Sequence, residues 1–132
     1  MANEAVIIFE THVPIPFICS TTTAVEKGTV MKMADPFTAS ASTGNADIIA
    51  GIAAEEKLNP NDGHIAVYRG GIFKMIASGS ITCGEPLVTA APSNGVVTAA
   101  TNAEVIIGIA LETATLGETF LMELRPTVMQ LA

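Results

Sequence analysis

The chain has 132 residues, of which 14% are charged, 49% hydrophobic and 5% aromatic, with no Trp and a net charge of −7; ordinary soluble chains carry roughly 25% charged residues. Its six Lys and Arg stand singly and cannot form the basic stripe that phosphate neutralisation needs, which excludes nucleic acid and anionic membrane surfaces as partners. The length suits one domain of about 100–150 residues, and the shortage of charge points to a surface partly buried against partners, because interface cores are depleted in charge.

Taken in order, the apolar runs are short, rich in Val and Ile, and bounded by Gly, Pro, Asn and Asp, which is the pattern of strands. Strands are predicted over Ala5–Phe9, Val13–Ile18, Thr29–Met33, Ile48–Ala54, Ile65–Arg69, Ile72–Ala77, Pro86–Thr89, Val96–Thr98, Val105–Leu111, Thr119–Leu124 and Thr127–Gln130. The one helical candidate is a turn or two near Ala53–Leu58, ending at Asn59-Pro60. Asn61-Asp62-Gly63 and Ser93-Asn94-Gly95 supply residues tolerant of positive φ. Gly70-Gly71 separates two apolar runs by two residues and predicts a tight hairpin. No run approaches the ~18 apolar residues of a membrane span. Glu4 and Glu10 flank the first run where a signal peptide would be basic, so the chain is expected to stay in the cytoplasm where it is made. Cys19 and Cys83 are expected to be free and buried.

An internal repeat organises the rest. Ala46–Glu55 (ADIIAGIAAE) matches Ala103–Glu112 (AEVIIGIALE) at an offset of 57. Upstream, Val25, Gly28, Met31, Ala34 and Pro36 correspond to Ile81, Gly84, Leu87, Ala90 and Pro92. Gly51 and Gly108, each inside a strand, suggest a bulge or a close backbone approach. The expected architecture is all-β: a compact barrel with two pseudo-repeats, about 22–69 and 78–125, packed about a pseudo-twofold into a single core. Residues 21–132 would form that domain. Residues 1–20 would form an N-terminal arm or edge strand, because Pro14 and Pro16 cannot donate in a central ladder.

Chemistry is hard to find. His12 and His64 lack zinc-ligand spacing with the cysteines, and His64 reads as a solvated turn residue. There is no Gly-x-Ser-x-Gly elbow, no phosphate-binding loop and no calcium loop around Asn61-Asp62-Gly63. Glu55 and Glu112 recur through the repeat; a turn-capping role explains them better than acid–base catalysis. No cofactor or metal site is therefore expected, and no enzyme.

The glycines Gly28, Gly51, Gly84, Gly108 and Gly117, the two Gly-Ile-Ala segments and the closing Arg125 give the chain a pattern that resembles the DUF2190-type phage head decoration, or cement, proteins over about residues 20–126. The resemblance implies a β-barrel or β-tulip domain that sits as a homotrimer on the outside of the expanded capsid of a tailed phage. There it would bind the major capsid protein and hold the shell against DNA pressure. It also implies an N-terminal capsid-binding arm, here Ala5, Val6, Ile7, Ile8, Phe9, Val13 and Pro14. The alternative is a β-barrel glycan-binding or tail-associated adhesion module, which the absence of Trp and the single Tyr68 disfavour.

Overall fold

The computed structural model describes residues 4–19, 24–42, 48–57, 63–90, 94–99 and 105–128. It is all-β, and no helix occurs among the described residues. The strands are β1 (Val6–Phe9), β2 (Ile15–Ile18), β3 (Val30–Asp35), β4 (Thr38–Ala41), β5 (Ile49–Ala53), β6 (His64–Tyr68), β7 (Gly71–Ala77), β8 (Pro86–Ala90), β9 (Gly95–Thr98), β10 (Val105–Ala110) and β11 (Thr119–Val128). The expected helical turn near Ala53 is absent: Ala53 ends β5, and Lys57 forms a bridge with Val25. Residues 58–62, including most of the Asn61-Asp62-Gly63 turn, lie outside the described residues.

The repeat is expressed as two five-stranded rings. β2-β4-β3-β5-β6 closes one, and β7-β11-β10-β8-β9 closes the other through a β7–β9 pairing. The correspondence holds bond by bond. Gly28 N–H donates to the Ala53 carbonyl and Gly84 N–H to that of Ala110; Ala54 N–H donates to Ala66 and Leu111 N–H to Leu121. The structural units begin earlier than the sequence repeat, because β2 in the first ring occupies the place of β7 in the second. In chain order, both pair antiparallel with the last strand of their unit and parallel with the third.

Closure of each unit on itself corrects the expected single barrel. One apolar cluster, with Phe17, Met31, Ile65 and Val67, fills the first ring. A larger one fills the second with Phe73, Met75, Leu87 and Phe120, and it takes in Val30, Ile52 and Tyr68 from the outside of the first. The contact between units is not the reciprocal one that a pseudo-twofold requires. Asn94 Oδ1 in the second unit accepts the Val30 N–H of the first at 2.8 Å, whereas the equivalent of Asn94, Phe37, is exposed. Asn94→Ala should cost about 1–3 kcal/mol in urea unfolding, because it strands a buried N–H; an unchanged midpoint would contradict the structural weight given to this bond.

Gly70-Gly71 is not a hairpin. β6 belongs to the first ring and β7 to the second, so the pair is the crossover between units. A Cβ at Gly70 would collide with the His12 ring, and Gly71 has a φ of 129° with Phe9 O nearby. Glycine serves close approach here rather than a type I′ turn. Cys83 also departs from expectation: Cys19 is buried, but Cys83 is exposed in the turn before Gly84.

Candidate functional site

The segment from Glu4 to His12 belongs to neither ring and straps the two together. Ala5 N–H donates to the Gly28 carbonyl of the first unit at 3.0 Å. β1 then pairs antiparallel with β7 of the second, with Val6 opposite Lys74, Ile7 opposite Phe73 and Phe9 opposite Ile72. The register slips at Ile8, which forms a bulge between Ile7 and Phe9. Burial pushes the Tyr68 phenol above its ordinary range, and the Glu10 carboxylate beside it adds to the effect. His12 closes over Gly70. The strap thus crosses the junction of the units and ends at the crossover.

β1 can dock on only one of the two equivalent edges. Ile15, opposite Val67, corresponds to Phe73, opposite Met122, so Pro14 and Pro16 stand where Ile72 and Lys74 stand. Ile72 and Lys74 are partners of β1. Opposite Pro16 is Ala66, whose N–H donates to Glu55 at 3.1 Å and whose carbonyl accepts from Ala54. Both groups point away from β2, so the backbone groups of Pro16 face the outer edge. Pro14, two residues earlier, faces the same way. The alternate prolines therefore remove the donors from the stretch of the outer side of β2 that lies ahead of its pairing with β4 at Ile18, and block strand addition there, while β2 still pairs with β6 on its inner side.

Of the seven residues expected in an N-terminal arm, Val6, Ile8, Phe9 and Val13 are exposed, Ile7 and Pro14 are half-buried, and Ala5 is buried. Phe9 and Val13 are 62% and 82% exposed, large apolar side chains that contribute little to either core. Among the glycines, Gly28 and Gly84 have φ of 85° and 92° in matching turns, and Gly51 and Gly108 lie where β5 and β10 meet a neighbouring carbonyl. Glu55 and Glu112 do not face each other as a catalytic pair would. Glu55 accepts the Ala66 N–H and Glu112 the Leu121 N–H, each capping its own unit. Tyr68 is buried and packs edge-on against Phe73, 5.6 Å between ring centroids, so it offers no stacking face to a sugar.

Reading the sequence alone missed the strap contacts of Glu10 and His12, and the exposed aromatic Phe37. The repeat offset carried a signal for the last: it sets Phe37 against Asn94, and both have positive φ.

A family model described as phage cement protein matches residues 9–125. The match agrees with the cement resemblance and does not carry the narrower DUF2190 label. Among solved structures, the N base of the head fiber gp8.5 of bacteriophage phi29 has the same fold, with a TM-score of 0.57 at 16% identity over 89% of this chain and 99% of that one. No curated protein sequence matches.

Proposed function

The chain belongs to the phage cement protein family, and from that membership we propose that it binds the major capsid protein on the exterior of the expanded shell and stabilises the shell against the pressure of packaged DNA. A structural role on the phage capsid is what the family assigns. The finer reading is supported by the strap. β1 carries exposed apolar side chains and leaves its outer edge open, which suits pairing with a strand of another protein through backbone hydrogen bonds and a few apolar anchors. Val6, Ile8, Phe9 and Val13 are the proposed capsid contacts; Ala5, Ile7 and Pro14 hold the segment in place.

We read the protein as a homo-oligomer, a trimer by resemblance, acting without a cofactor and without catalysis. Several weak contacts on one oligomer give tight retention on a lattice of repeated sites. The chain's few charges agree with large contacts between subunits.

The copy number of the chain in purified virions tests this. A ratio to the major capsid protein near a simple stoichiometry is expected. Trace amounts would favour the tail-associated or glycan-binding alternative, against which the burial of Tyr68 already argues.

A further inference from the structure

The contact between the two units is head-to-tail and is used only once within the chain. On the first unit, Val30, Ile52 and Tyr68 lie side by side across β3, β5 and β6. All three are buried against the second unit. Their equivalents, Pro86, Ile109 and Glu123, lie side by side across β8, β10 and β11 and are partly exposed. At the opposite end, the turn residue Asn94 of the second unit is covered, 4% exposed, while its equivalent Phe37 is 57% exposed. One unit therefore has its strip covered and its turn bare; the other has its turn covered and its strip only partly covered.

We infer that a second copy of this chain joins these two surfaces, the Phe37 turn of one copy seating on the Pro86–Ile109 strip of the next. The contact repeats between molecules the one that already joins the units within a molecule. Its chemistry has changed on both sides together. Inside the chain, Asn94 Oδ1 accepts the Val30 N–H. Between chains Phe37 offers no acceptor, and Pro86 has no N–H to leave unpaired when covered. Phe37 has a φ of 53°, a conformation that costs a non-glycine residue about 1–2 kcal/mol and that Asn tolerates better. Phe37 stacks on Phe17 at 4.9 Å, yet the residue stays exposed. Ile18, whose N–H donates to the Phe37 carbonyl at 2.8 Å, is exposed as well, whereas its equivalent Ile76 is half-buried. A head-to-tail contact that closes makes a ring, with the two kinds of unit alternating around it.

The inference rests on the self-association proposed above, but its test needs no capsid, so its failure leaves capsid binding standing. Purified full-length chain is measured by light scattering during size exclusion. The wild type is expected to assemble, and Phe37→Asp and Ile109→Glu each to run as folded monomers. An equimolar mixture of the two variants should form a dimer. The Phe37→Asp copy keeps its strip, the Ile109→Glu copy keeps its turn, and the pair can make one junction. Should Phe37→Asp fail to fold, Phe37→Asn takes its place, since it relieves the backbone while removing the anchor. A monomeric wild type at its highest soluble concentration, single variants that assemble like the wild type, or monomeric variants whose mixture forms no dimer would each overturn the inference.

Discussion

Gly51→Ala is expected to lower the urea midpoint more than Gly108→Ala or Gly84→Ala, by about 3–5 kcal/mol of stability, a large part of the 5–15 kcal/mol available to a typical domain. Two causes add. Gly51 has a φ of 150°, and a Cβ there would overlap the Tyr68 carbonyl oxygen and press on Val67. β5 is buried along its whole length, so neither the strand nor its neighbour has free space to move into. Gly108 separates the two causes. Its added Cβ would overlap the Glu123 carbonyl oxygen, but its φ is not in the left-handed region, so Gly108→Ala should cost less than Gly51→Ala. Gly84 isolates the conformational cause: its φ is 92° with nothing within 4 Å of an added Cβ. Gly84→Ala should therefore cost only about 1–2 kcal/mol. The order Gly51, Gly108, Gly84 follows from geometry, and a Gly51→Ala midpoint no lower than that of Gly84→Ala would refute it.

The same glycines explain how far the sequence could be read. Gly-Ile-Ala recurs because β5 and β10 face the same steric demand, and that recurrence exposed the two units. Strands with branched apolar residues were legible for the same reason. β4 was not, because Thr38–Ala41 has no Val or Ile; its tertiary place comes from β3 and β2, and only the 57-residue offset to Gly95–Thr98 marks it. β11 reads in the sequence as two strands, Thr119–Leu124 and Thr127–Gln130, with Arg125-Pro126 between them. The structure runs through it, since the pairing with β7 ends at Leu124 and leaves the stretch beyond paired to β10 alone. The Gly70-Gly71 hairpin failed on long-range grounds: local turn chemistry cannot say whether the next strand returns to the same sheet. The prolines at 14 and 16 suggest an edge strand or arm, yet Pro16 lies in β2, which pairs with β6 along its length and with β4 at Ile18. Local sequence does not disclose that one end of a strand can close a ring while the other end of the same side stays open.

The equivalent edge of β7, which β1 covers, is why deletion of residues 2–12 carries the second large effect. Neither ring loses a strand, because β2 begins at Ile15, so the truncated protein should still fold. It should lose about 2–4 kcal/mol of stability, from the buried Ala5, the half-buried Ile7 and the β1–β7 ladder. Its binding to capsids lacking the protein should be abolished. Lys74 on the bared edge of β7 is exposed, and a charge there opposes edge-to-edge aggregation. Phe9→Asp separates binding from stability. Phe9 is exposed, so this variant should unfold with nearly wild-type midpoint while its capsid occupancy falls at least tenfold, the equivalent of about 1.4 kcal/mol. If the truncated protein aggregated instead, the strap would be part of the fold's minimum. If Phe9→Asp still bound at wild-type occupancy, the exposed face of β1 would not be the capsid contact, whatever the truncation did.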